Sequence, residues 1–183
     1  METPFLKETT AGPFGGLKVV GNQVISFRKG VFKMKKIYLA YGSNMSLDQM
    51  YFRCPDAEPI GKGIIKGWRL MFKGSQSGNY ATIEKEAGCK VPVVVWAISK
   101  ADEKNLDRYE GWPSFYVKED IEFDYIGDRP GRRAKGTGMA YIMPPENSKL
   151  GLPTRQYFDG ILEGYERFGL DTKILYEALK YSE

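Results

Sequence analysis

The chain has 183 residues, 42% of them hydrophobic and 27% charged, with a formal net charge of +4. That is enough apolar material for one ordinary domain with its own core, and no run approaches the ~20 apolar residues that a membrane helix needs. Histidine is absent, which excludes Ser-His-Asp and Cys-His hydrolysis, His-ligated zinc and every histidine acid/base scheme. Proton transfer would fall to a carboxylate, a lysine or a tyrosine.

Residues 1–16 are rich in Thr, Gly and Pro, show little periodicity and lack the apolar core of a secretory signal. Residues 17–32 have the pattern of a hairpin, with Val19, Val20, Val24, Ile25 and Phe27 around Gly21-Asn22. Met34 is itself a plausible native start. Residues 1–33 therefore read as an appendage (an accessory hairpin, an alternative start or a tag), and residues 34–183 as the domain.

Residues 37–41 form an apolar strand, followed by the turn composition Gly42-Ser43-Asn44. Ser46 with Gln49 three residues on has the form of a capping box for a short helix that Pro55 ends. Residues 64–72 and 80–85 read as strands joined by a flexible loop at 74–79. The nearly continuous apolar run 91–98 predicts a strand covered on both faces.

Ser99 caps a short helix with Asp102 and Glu103 in its first turn. Leu106 and Tyr109 are expected on its buried side, and Gly111 ends it. Residues 115–126 alternate, with Phe115, Val117, Ile121, Phe123 and Tyr125 on the core face and Tyr116 on the polar one. Residues 138–143 are the expected antiparallel partner.

A helix from about Pro153 is predicted to bury Tyr157, Ile161, Leu162, Tyr165 and Phe168. A last helix, capped by Asp171, turns Ile174, Leu175 and Leu179 inward. Strands in the middle and helices at the end, without βαβ alternation, indicate α+β: a small mixed, barrel-like sheet packed by short helices.

Positive charge is scattered. The clusters are Lys33, Lys35 and Lys36, then Arg129, Arg132, Arg133 and Lys135, the second beside Pro130-Gly131 as a solvated tip. No helix carries a basic stripe interleaved with aromatics, so no nucleic-acid partner is expected. A mild positive field suits a small acidic substrate. Cys54 and Cys89 match no metal spacing and read as reduced thiols; no metal and no cofactor is expected. The expected setting is the cytoplasm, without a membrane partner, as a monomer or weak homodimer.

Two segments can carry chemistry. In Tyr41-Gly42-Ser43-Asn44-Met45, a glycine turn between strand and helix aims backbone N–H groups at one point, suiting a carboxylate or a developing oxyanion. In the stretch from Asp107 to Pro113, Glu110 stands at a helix C-terminus between Tyr109 and Trp112. The dipole and desolvation by those rings would both raise its pKa into the range useful for acid/base work. Tyr116, on the polar parity of its strand, can hydrogen-bond a substrate.

Together these residues resemble the γ-glutamyl cyclotransferases and their AIG2-like relatives. The similarity rests on Tyr41-Gly42-Ser43-Asn44, on Leu106-Asp107-Arg108-Tyr109-Glu110-Gly111-Trp112-Pro113 with Tyr116 beyond it, on Ala81-Thr82-Ile83 and residues 91–96, and on the closing-helix residues Pro153-Thr154-Arg155-Gln156-Tyr157 and Glu163-Gly164-Tyr165. It spans residues 36–181 in order. The resemblance implies cyclisation of a γ-glutamyl amino acid or amine to 5-oxoproline, without metal. It also implies Glu110 as the catalytic glutamate, and Tyr41, Gly42, Ser43 and Asn44 as the loop that binds the substrate, with Met45 beside them and Tyr116 nearby. The alternative is a catalytically silent member that binds a small ligand or a protein.

Overall fold

The computed structural model describes residues 17–20, 22–28, 31–75, 78–126, 133–145 and 148–183. The apolar run at 91–98 and the alternating segments around it form one sheet. In chain order its strands are β1 (Leu17–Val20), β2 (Gln23–Arg28), β3 (Val31–Ala40), β4 (Glu58–Ser75), β5 (Gly78–Ile98), β6 (Val117–Ile126), β7 (Arg133–Ile142) and the short β8 (Lys149–Leu150). The helices are α1 (Leu47–Arg53), α2 (Lys100–Glu110), α3 (Arg155–Arg167) and α4 (Thr172–Tyr181).

The strand order is β1-β2-β3-β5-β4-β6-β7, and a parallel bridge between Tyr38 and Met139 brings β7 back against β3. Strands β3, β5, β4, β6 and β7 thus make a ring within a mixed α+β fold. It is not a regular barrel, because β4 meets β6 only from Lys62↔Ile126 to Ile64↔Asp124. Closure depends on a missing side chain. A Cβ on Gly138 would stand 2.8 Å from Ile37 Cγ2 and from Leu39 Cγ, too close for β7 to approach β3.

The two strands expected at 80–85 and 91–98 are one strand, β5. Its ladder with β4 jumps from Lys66↔Lys90 to Trp68↔Lys85, so residues 86–89 bulge opposite Gly67. The bulge absorbs extra residues without ending the strand. The loop expected at 74–79 is instead a tight hairpin end, since Gly74 pairs with Asn79 and Ser75 with Gly78; Gln76 and Ser77 lie outside the described residues. Every apolar residue from Val91 to Ile98 is buried, as the continuous run predicts.

The pairing of Val20 with Gln23 makes β1 and β2 a hairpin, and β2 extends the sheet beside β3. Val24 is fully buried, and Lys35 of β3 is buried on Glu58 at 3.0 Å. Residues 1–16 lie outside the described residues, as does the Arg-rich turn except Arg133 and Lys135.

Ser99 and Asp102 form the reciprocal cap of α2, and Gly111 takes the left-handed conformation (φ +67°) that ends it. On α2 Leu106 is buried while Tyr109 is half exposed, because it turns to Arg53 rather than to the core. Tyr116 precedes β6 and so escapes its alternation: it is buried, while Val117, on the nominal core face, is exposed. On α3 the buried set is Phe158, Ile161, Gly164 and Tyr165, with Tyr157 only half-buried. On α4 it is Leu175 and Ala178.

Candidate active site

The polypeptide leaves β3 at Ala40 and enters a single 3-10 turn, Ser43–Met45, before α1 begins. The turn's own bonds start at Met45 N to Gly42 O (2.9 Å), so the N–H groups of Ser43 and Asn44 are not used inside it. Gly42 is closely packed. A Cβ there would lie 3.2 Å from Ala81 Cβ and 3.4 Å from the Tyr157 hydroxyl. From behind, Gly164 of α3 lets Met45 pack closely, with a Cβ–Cβ separation of only 2.7 Å if the glycine carried one.

Beside this turn an open cleft is lined by Tyr38, Tyr41, Gly42, Ser43, Asn44, Ala81, Glu110, Tyr116, Tyr141 and Tyr157. The turn after β3, the edge of β5, the end of α2 and one face of α3 thus meet at one place. Six of the seven residues expected at a site from sequence are brought together there. Met45 is not: it is fully buried beneath the turn, a core residue that holds α3.

Among the described residues Glu110 is the only acidic or basic side chain in the wall of the cleft. Its Oε1 accepts a 2.8 Å hydrogen bond from Asn44 Nδ2, whose other hydrogen reaches the Tyr38 hydroxyl at 2.8 Å. Among the described residues Oε2 has no protein partner. Burial pushes the carboxyl up to about 7, against the opposing pull of the Arg53 charge and the Asn44 hydrogen bond. The sequence-based reason for a raised value was different. Tyr109 and Trp112 are both about half exposed, with Tyr109 against Arg53 and Trp112 against Lys118. The tyrosine-lined cleft, not these chain neighbours, accompanies the burial of Glu110.

The five tyrosines of the cleft divide by what their hydroxyl hydrogens already do. Tyr41 donates to the Tyr141 carbonyl, Tyr116 to the Ala81 carbonyl (2.9 Å) and Tyr141 to Asp107 Oδ1 (2.6 Å). Tyr38 and Tyr157 instead accept, from Asn44 and from the Ala81 N–H (3.2 Å). Their own hydrogens have no acceptor among the described residues, so they can donate into the cleft. Desolvation by burial keeps all five phenols raised above the usual range, hence neutral.

Sequence reasoning missed Tyr38, Ala81, Tyr141 and Arg53, and read Tyr157 as core. Alternation along β3 makes Tyr38 one more strand residue, and Tyr157 shares helical spacing with Ile161 and Tyr165. The signal that could have found Tyr157 was the need of a phenol for a partner if buried.

The sequence profile of the family described as gamma-glutamyl cyclotransferase, AIG2-like, matches residues 38–159, more than half of the chain. The chain is 30% identical over 142 residues to the gamma-glutamylcyclotransferase of Homo sapiens, covering 73% of this chain and 72% of that protein. It is 31% identical to the Mus musculus gamma-glutamylcyclotransferase over the same length and shares. A solved gamma-glutamyl cyclotransferase structure superposes with a TM-score of 0.68 at 27% identity, covering 78% of this chain and 85% of that one.

Proposed function

The chain belongs to the gamma-glutamyl cyclotransferase, AIG2-like family, and from that premise we propose that it cyclises a γ-glutamyl amino acid or amine. The products are 5-oxoproline and the free amine. Homology to gamma-glutamylcyclotransferase enzymes at about 30% identity supports the reaction class. The observation that carries the assignment to this site is Glu110: in a solvent-connected cleft, raised to about 7, with one oxygen bonded to Asn44 and the other open.

A carboxyl near neutrality can accept and return a proton within one turnover. Glu110 takes a proton from the substrate's α-ammonium. The freed amine attacks its own γ-carbonyl carbon, forming the ring C–N bond and a tetrahedral oxyanion. Collapse breaks the bond to the departing nitrogen as Glu110 returns the proton to it. The regenerated carboxylate then takes the second proton from the ring nitrogen and passes it to the released amine, leaving a neutral lactam and an ammonium product. No water is consumed.

Because attack is intramolecular, holding the folded γ-glutamyl conformer supplies much of the acceleration. The unspent hydrogens of Tyr38 and Tyr157 and the N–H groups of Ser43 and Asn44 are the donors for the α-carboxylate and the oxyanion. Tyr41, Tyr116 and Tyr141 shape the wall with hydroxyls already committed. Action in the cytoplasm, without a nucleic-acid or membrane partner and as a monomer or weak homodimer, belongs to the same proposal.

The experiment is 5-oxoproline release from a panel of γ-glutamyl dipeptides and γ-glutamyl amines, with Glu110→Gln alongside. Release by wild type alone supports the reading and identifies the leaving-group class. Folded wild-type protein that releases none from any of them would move the assignment to a silent binding module.

A further inference from the structure

We propose that Arg53 is a positioning residue for Glu110, acting through the Asn44 amide, whose orientation its guanidinium fixes. The inference rests on the functional reading above. Arg53 stands in the last turn of α1, outside the wall of the cleft. Its guanidinium donates to Ser43 Oγ (3.3 Å), Asn44 Oδ1, Gln49 Oε1 (2.5 Å) and the Tyr109 hydroxyl (2.6 Å), and lies 3.6 Å from the centre of the Tyr109 ring. All four acceptors are neutral. Among the described residues Arg53 has no ion-pair partner, so its charge is not neutralised locally.

A guanidinium can only donate, so the Asn44 atom it holds must be the oxygen. Both Nδ2 hydrogens are then directed to Tyr38 and Glu110. With the amide reversed, Asn44 Oδ1 would face the carboxylate and Asn44 Nδ2 would face the cation, losing the bonds to Glu110 and to Arg53; only the Tyr38 hydroxyl, which can donate as well as accept, would keep a bond. Arg53 thereby selects the orientation in which ionised Glu110 is bonded through Oε1 while Oε2 is left open. The other titratable groups beside Glu110 are the cleft phenols Tyr38, Tyr41, Tyr116, Tyr141 and Tyr157 and the Cys54 thiol next to Arg53, all held neutral by burial. The Arg53 charge favours the ionised form of Glu110. A lysine in its place keeps the charge but has one nitrogen, which cannot span acceptors on both the turn and α1.

The test follows the Glu110 carboxyl itself. In protein labelled with carbon-13 at the glutamate side-chain carboxyl, its resonance is assigned by its absence in Glu110→Gln. It is then titrated in wild type, Arg53→Met and Arg53→Lys, alongside pH profiles of kcat/KM. Arg53→Met is expected to raise the midpoint by about one pH unit, with the acid limb of kcat/KM following. Arg53→Lys should restore part of the midpoint but leave kcat on the order of tenfold low, as expected when charge is kept and orientation lost.

A wild-type midpoint and acid limb in Arg53→Met would overturn the proposal. If Arg53→Met does not fold, a wild-type midpoint and kcat in Arg53→Lys overturns it equally. Wild-type protein that releases no 5-oxoproline sinks the functional reading instead, and the titration still decides the role of Arg53.

Discussion

Asn44, in the turn that follows β3, donates a 2.8 Å hydrogen bond to Glu110, which lies 66 residues further along the chain at the end of α2. The bond joins the two segments that carry the chemistry and spans from the first turn of the domain to the middle of it. Because Asn44 is buried and its amide is fully engaged on both ends, the carboxyl has a fixed partner before any substrate arrives.

Glu110→Gln preserves the shape of the side chain and an acceptor for Asn44, so the variant should fold. Removing the proton carrier is expected to lower kcat on the order of 10²–10⁴-fold. Steady-state release of 5-oxoproline measures it, and activity within about tenfold of wild type would remove Glu110 from the acid/base role.

The same carboxyl makes stability depend on pH. Its native value, about 7, lies above the ordinary 4.5, so the folded state binds this proton more tightly than the unfolded one. Its contribution therefore falls as pH rises from 4.5 to about 7 and is constant above. Relative to wild type, Glu110→Gln should gain roughly 3 kcal/mol across that window. Urea denaturation at several pH values tests it; a difference independent of pH contradicts the raised value.

Hydroxyl deletions should separate the two classes of tyrosine. Tyr157→Phe removes an uncommitted donor, together with the acceptor of the Ala81 N–H, and is expected to raise KM by about tenfold, the equivalent of one lost hydrogen bond to a charged group. Tyr116→Phe instead strips the Ala81 carbonyl of its donor and should show mainly in stability, by about 1 kcal/mol. Equal effects of both on KM would show that the division by committed hydrogens has no bearing on binding.

Gly164→Ala tests the seat of the turn. The added Cβ would meet Met45 Cβ at 2.7 Å and its carbonyl carbon at 3.3 Å. An expected loss of about 1–3 kcal/mol follows from overpacking, read as a lower urea midpoint. An unchanged midpoint would mean that α3 and the turn part without cost.

Deletion of residues 1–33 removes β1, β2 with fully buried Val24 and the first three residues of β3, while the part of β3 that pairs with β5, the rest of the ring and the wall of the cleft remain. The shortened chain should fold and keep turnover, but lose about 2 kcal/mol, the burial energy of one such side chain. An insoluble product would make the N-terminal hairpin part of the core.

The sequence alone determined what local chemistry can determine. The continuous apolar run at 91–98, the Ser99 cap and Gly111 stop of α2, and the Gly42-Ser43-Asn44 turn each follow from propensities acting over a few residues. So does the position of Glu110 at a helix end beside a glycine. The motifs around Tyr41–Met45 and Glu110 identified the family because they are contiguous.

Only the tertiary structure decided which side chains face one another. Closing the sheet set Tyr38, Tyr141 and the edge of β5 around Glu110, and α3 turned Tyr157 toward the cleft while Met45 dropped beneath it. It also set Arg53 behind Asn44. No periodicity encodes these choices. They arise from where elements distant in sequence are packed, and burial, which raises Glu110 and frees or commits each hydroxyl, is a property of that packing rather than of any residue's neighbours along the chain.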